Sequence, residues 1–254
     1  MDFEVCFLPS EATRRPSPVA VLIDVIRAST TIVTLLDRGA TELALVRQED
    51  LPRLDAIRAR VGDALVCAED PSGVKAAVAD LSPSPAALRD LDLRGRRVIF
   101  CTTNGTLAAT LLRQAGVEHV LVGCMRNGAA VMAEAVALAH RLDRSVSLVC
   151  AGRNGCRIPA IDDVYCAATL MRHGEAVAKA AGIGVTLLES ATIARHASAA
   201  FAGTREAFDQ SMSAAVVRRV GAPDDVAYCG DENVTRCVPL VSFEDGATLV
   251  HKTG

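Results

Sequence analysis

Short runs of unbroken apolar residues alternate along the chain with longer segments in which apolar positions recur every three or four residues. The short runs are Val19–Ile23, Glu42–Val46, Ala64–Cys67, Arg97–Cys101, Val120–Val122 and Val146–Cys150. They predict strands covered on both faces, because a strand with one wet face would alternate apolar and polar positions. The helical spacing predicts helices over Ser29–Asp37, Leu51–Arg60, Thr106–Gln114, Ala129–Arg141, Ile161–His173 and Ala191–Ala200. Together these predict an α/β fold, a largely parallel or mixed sheet in layers flanked by helices. From Asp70 to Asp92 the chain is rich in Pro, Ser and Ala without a period, which predicts a long loop. Beyond Ala200 the pattern loosens, with a helix over Phe208–Arg219 and short strands over Asp225–Cys229 and Cys237–Val241.

One unit recurs. Thr34–Val46 resembles Thr110–Val122, 76 positions further on, and the same shift sets Asp24–Thr30 against Phe100–Thr106. A strand, a polar loop, a helix and a second strand are therefore used twice. Val146–Leu170 adds another strand–loop–helix of unrelated sequence. No linker divides the chain, so the expectation is one unit over residues 1–254, either undivided or as two similar lobes packed intimately. In open α/β sheets the loops at the carboxyl ends of strands form the site, which makes the three polar loops the place to look.

The first loop, Asp24-Val25-Ile26-Arg27-Ala28-Ser29-Thr30-Thr31, delivers an acid, a guanidinium and three hydroxyls where strand turns to helix. Those hydroxyls suit a helix cap, or an anion at a helix N-terminus. The second, Thr102-Thr103-Asn104-Gly105-Thr106, can turn backbone N–H groups inward through its Asn-Gly pair, with threonine hydroxyls beside them. It is not a Walker loop, since no lysine follows the glycine. The third runs from Cys150 through Gly152, Arg153 and Arg157 to Asp162 and Asp163. Adjacent acids at a helix start favour the helix dipole, and they can also hold Mg²⁺ through one or two carboxylates. Neighbouring helical positions diverge by about 100°, so one of the two faces a ligand, with Asp162 preferred. Glu69, directly after the Ala64–Cys67 run, is a further candidate ligand or base.

Two covalent mechanisms lose ground on spacing. The Cys150–Arg157 loop is one residue longer than a cysteine-phosphatase loop, and Asp24-Val25-Ile26 lacks the second aspartate of an aspartyl-phosphate phosphatase. Composition removes other classes. A net charge of −3 in 254 residues, with no basic run, no Trp and 3% aromatics, gives nucleic acid no footprint. No apolar segment approaches a membrane span, and the acidic N-terminus is not a secretory signal. Nine cysteines scattered among apolar neighbours, without a Cys-x-x-Cys or close His pair, suit buried thiols in a reducing compartment. A cytoplasmic location is the expectation, and homo-oligomerisation stays open.

In order along the chain, the pieces resemble the 2-phosphosulfolactate phosphatase family. The resemblance rests on Asp24-Val25-Ile26-Arg27-Ala28-Ser29-Thr30, Glu69, Asp80 with Ser82-Pro83-Ser84-Pro85, Thr102–Thr106, Asn127, Cys150–Gly152, Asp162-Asp163, Asp225–Cys229 and Val238-Pro239. Four positions depart from the pattern. Cys67-Ala68 replaces Gly-Gly, Pro83 replaces Asn, and Asp162 shortens a Glu by one methylene. The resemblance implies a Mg²⁺-dependent phosphatase that converts 2-phosphosulfolactate to sulfolactate and phosphate, a step in coenzyme M synthesis. It also implies roles. Asp24 and Glu69 would hold or orient the metal and a water, with Asp162 or Asp163 as a further ligand or base. Arg27 would clamp one anionic group, with Ser29, Thr30, Asn127 and the loop Thr102, Thr103, Asn104, Gly105 and Thr106 binding the small phosphate ester. The alternatives are a phosphatase of another small phosphorylated acid, and an anion-binding protein without catalysis.

Overall fold

The computed structural model describes residues 1–12, 19–244 and 246–253. The described strands are β1 (Asp2–Cys6), β2 (Val19–Ile23), β3 (Glu42–Leu45), β4 (Ala64–Ala68), β5 (Arg97–Cys101), β6 (His119–Gly123), β7 (Val146–Cys150), β8 (Thr186–Leu187), β9 (Pro239–Glu244) and β10 (Ala247–Lys252). All ten join one mixed sheet in the order β4-β5-β3-β10-β9-β6-β2-β7-β1-β8, with helices around it, as an α/β fold requires. All five residues of β2 and of β7 are buried, which is why their sequences carry no polar alternation.

Within the sheet, β4-β5-β3 form one parallel block and β6-β2-β7-β1-β8 another. The β9–β10 hairpin sits between them and pairs antiparallel on both sides. Three antiparallel steps leave the two blocks pointing in opposite directions. Twist resolves the consequence. Each strand turns by roughly 20–25° from its neighbour, so from β5 to β2 the rotation exceeds roughly 100°. The carboxyl ends of the two blocks thereby come together at one cleft.

The recurring unit has a structural counterpart. The Ala28–Asp37 helix carries the chain from β2 to β3, and the Gly105–Gln114 helix carries it from β5 to β6. Each starts in one block and ends in the other, while β2 pairs with β6 and β3 with β5. The two helices also pack on each other. Every residue from Ala28 to Leu36 is buried, so this helix is enclosed all round rather than laid on one face as its apolar spacing suggested. Its hydroxyls are consumed locally. Thr34 donates to the Thr30 carbonyl and Thr31 to the carbonyls of Arg27 and Pro83.

Four sequence expectations need correction. Asp225–Cys229 lies in a helix, Asp224–Gly230, begun by Pro223 and two acids, with Val226 and Cys229 buried three positions apart. The Phe208–Arg219 helix is two helices, Thr204–Asp209 and Met212–Arg219, because the Ser211 hydroxyl caps the second by accepting from the Ala214 amide at 3.0 Å. Pro52 turns the start of Leu51–Arg60 into a 3₁₀ segment before the helix Leu54–Val61. The N-terminal residues form β1, beside β7, where no strand was expected. The long loop contains only one helical turn, Pro85–Leu88.

Leu35, fully buried at the centre of the enclosed helix, tests this architecture. Leu35→Ala should cost about 2–5 kcal/mol of unfolding free energy in urea titration, because walls on every side prevent collapse into the cavity. A loss well below that range would mean the helix lies on a yielding surface.

Candidate active site

At the point where the blocks converge lies a cleft of about 320 Å³, lined by Asp24, Arg27, Glu69, Thr102, Thr103 and Asn104 from the predicted loops. Arg153, Asn154, Ser213, Val217 and Arg219 complete much of its wall. Asp24 follows β2, Glu69 follows β4, Thr102 follows β5 and Arg153 follows β7. The carboxyl-end rule therefore holds for both blocks at once.

Arg27 is the hub of one wall. Its Nη2 donates to Glu69 Oε2 at 3.0 Å and to the Gly73 carbonyl at 2.9 Å, while Nη1 donates to Asp225 Oδ2 at 3.1 Å. Burial works against its charge, but the two carboxylates prevail and raise its pKa. Asp225, with no exposed surface, spends its other oxygen on the Ser84 hydroxyl at 2.7 Å and the Ala86 amide at 3.0 Å. Glu69 Oε1 accepts from the Thr103 amide at 3.1 Å and from its hydroxyl. The guanidinium expected to clamp substrate thus fastens three parts of the protein to one another.

The loop amides face carboxylates rather than an open cradle. Those of Ala28 and Gly105 face Asp24, and those of Val25 and Gly152 donate to Asp163, each at 2.9 Å. Gly105 is required by this approach. A Cβ there would stand 2.6 Å from Ala28 Cβ and 3.0 Å from Asp24 Oδ2. Asp162 is buried and accepts from the Ser213 hydroxyl at 3.0 Å. Both helix N-termini thus direct partial positive charge at acids.

Three aspartates crowd together. Burial, then the charges of Glu69 and Asp162, push Asp24 up to about 7 against the opposing amides. Burial pushes Asp162 up to about 6, opposed by the Ser213 hydroxyl, and drives Asp163 well above the carboxylate range, with Asp162 and Asp24 adding to it. Among the described residues no group of three or more His, Cys, Asp or Glu is arranged to enclose a metal by itself. All nine cysteines are buried, and burial holds Cys156, the thiol that donates to the Asn104 carbonyl, up at about 12.

Other predicted site residues act from behind the wall. Ser29 Oγ accepts from the Asp24 amide, Thr30 donates to the Val25 carbonyl, and Thr106 donates to the Thr102 carbonyl. Asn127 is fully buried and ties Cys124, Val122 and Cys237 together. Asn104 joins the second loop to the third by accepting from the Gly155 amide at 3.0 Å. Thr102 Oγ1 is buried without a hydrogen-bond partner among the described residues. Sequence reasoning assigned no site role to Arg153, Ser213 or Arg219. Arg153 stood in a motif, whereas Arg219 carries no local signal on its short helix.

The chain is similar to known proteins over nearly its whole length. Residues 6–243 match the family model for 2-phosphosulpholactate phosphatase. A probable 2-phosphosulfolactate phosphatase of Deinococcus radiodurans is 35% identical over 228 residues, covering 89% of each chain. One of Thermus thermophilus is 30% identical over 253 residues, covering 99% of each. One of Pseudothermotoga lettingae is 27% identical over 239 residues, covering 93% of this chain and 94% of its own.

Two measurements test the geometry. Arg27→Ala should lose about 3–5 kcal/mol of stability in urea titration, since it strands a buried Asp225 without a counter-charge. Arg27→Lys should recover little, because an ammonium lacks the fork that reaches two carboxylates and a carbonyl. The Asp24 pKa lies above its unfolded value of 3.8, so the folded state holds the extra proton between that value and about 7. Its contribution to stability is fully present below the lower value and is lost as pH rises through the upper one. With chelator present, Asp24→Asn should therefore become more stable than wild type as pH rises from about 4 to about 8. Parallel stability curves for the two proteins would refute the assignment.

Proposed function

The chain belongs to the 2-phosphosulfolactate phosphatase family, and we propose that its cleft hydrolyses 2-phosphosulfolactate to sulfolactate and phosphate with Mg²⁺ as cofactor. The observation that carries this reading is the pair Asp24 and Asp162, buried carboxylates held above their ordinary pKa beside a cleft that also presents arginines. Such a pair is short of positive charge. Mg²⁺ binds through one or two carboxylates and completes its shell with water and substrate phosphate, so the donor set fits that ion. Asp24 lines the cleft and Asp162 lies within its field, which makes these two the residues that would hold it. When bound, the ion would neutralise charge on the phosphoryl oxygens.

The chain's own residues divide the remaining work. A water oxygen attacks phosphorus, the P–O bond to the lactate carbon breaks, and the departing oxygen takes up a proton. Asp24 lines the cleft, where its carboxylate would orient the attacking water beside the ion, and the proton that the water loses passes to the departing oxygen. Thr102 Oγ1 offers an unspent hydroxyl to a phosphoryl oxygen. Arg27 and Glu69 position this wall rather than touch the reacting atoms. No helix of the described residues is long and apolar enough to cross a membrane. Nine buried cysteines scattered among apolar neighbours favour a reducing compartment, and we place the enzyme in the cytoplasm.

The test is phosphate release from 2-phosphosulfolactate with Mg²⁺ or with chelator, alongside thermal unfolding. Wild type should turn over only with the ion, and millimolar Mg²⁺ should raise its Tm. Asp24→Asn should lose both the Tm shift and about 10²-fold or more in kcat. Turnover in chelator would defeat the metal assignment, and turnover confined to other phosphate esters would defeat the substrate.

A further inference from the structure

The proposed substrate carries three anionic groups, and the arginine in the first loop is already spent. Arg27 has a side chain only 5% exposed and is bonded to Glu69, Asp225 and the Gly73 carbonyl. Two other guanidinium groups line the cleft, Arg153 on the loop after β7 and Arg219 at the end of the Met212–Arg219 helix. Neither makes an ion pair or a side-chain hydrogen bond among the described residues. Most other arginines near an acid have taken one, as Arg126 has with Asp231 and Arg195 with Glu175.

The two differ in depth. Arg153 is half-buried and close enough to Asp162 to pull that carboxyl's pKa down, which places it at the reacting end. Arg219 is exposed at the rim, on the helix whose Ser213 bonds Asp162 and whose Val216 and Val217 line the same wall. The substrate has a matching gradient. Phosphate and carboxylate share one carbon, whereas the sulfonate stands one methylene away, an arm that apolar valines can flank.

We infer that Arg219 is the specificity residue of this cleft and binds the sulfonate, while Arg153 binds the phosphoryl end. This rests on the substrate reading above. A guanidinium matches a sulfonate's oxygens with paired donors, and on the rim it selects the ligand without entering the chemistry.

Kinetics on two substrates decide it: 2-phosphosulfolactate, and 2-phospholactate, which carries hydrogen in place of the sulfonate. Wild type should prefer the first. Arg219→Ala should raise KM for the first by about 10- to 100-fold, the worth of one charge-assisted contact, and leave kcat and all constants for the second unchanged. Arg219→Lys should recover part of the preference, and Arg153→Ala should depress turnover of both substrates alike. Because Arg219 is exposed and unpaired, its variants should melt with wild type. An Arg219→Ala enzyme that keeps the preference, or loses equally on both substrates, overturns the inference while leaving the phosphatase reading intact. A wild-type enzyme without preference for the sulfonate removes the substrate reading and this inference together.

Discussion

A buried guanidinium between two carboxylates is the constraint on which the cleft depends. Arg27, Glu69 and Asp225 come from segments 42 and 198 positions apart, and each would be costly to bury alone. Together with the Gly73 carbonyl, Ser84 and Thr103 they form a network in which each bond fixes another residue. The network joins the first loop, the loop after β4 and the Asp224–Gly230 helix into one wall. Such a network adds little net stability over a well-packed apolar replacement. Its effect is to fix which surfaces face the cleft.

The opposite side of the cleft holds a tension the first side does not. Asp24, Asp162 and Asp163 are buried within each other's fields, and backbone amides at two helix starts offset only part of the cost. A sequence selected for stability alone would replace some of them. Retaining them leaves a site that a cation and an anionic ester can satisfy together, which is the balance a metal-assisted phosphatase needs. The same amides that looked like a phosphate cradle thus serve the acids.

Sheet topology brings the two sides together. Two parallel blocks of opposite direction would place their carboxyl ends at opposite edges of a flat sheet. Twist accumulated through the β9–β10 hairpin brings them to one place, and the two crossing helices fill the space enclosed. Gly105 marks how close they come, since no side chain fits between it, Ala28 and Asp24.

Much of this was legible in the linear chain. β2, β5 and β7 fall where the apolar runs Val19–Ile23, Arg97–Cys101 and Val146–Cys150 lie, because burial on both faces leaves a composition readable residue by residue. The acids Asp24, Glu69 and Asp162 could be picked out because each follows a strand or starts a helix, which are local facts. Partners could not be read in this way. Whether Arg27 meets substrate or Asp225, whether the Gly105 amide meets phosphate or Asp24, and whether Arg219 reaches the cleft all depend on which distant segments the twisted sheet brings together. Hydrogen-bond partners are set by position in space, and spacing along the chain carries no record of a contact 198 residues away.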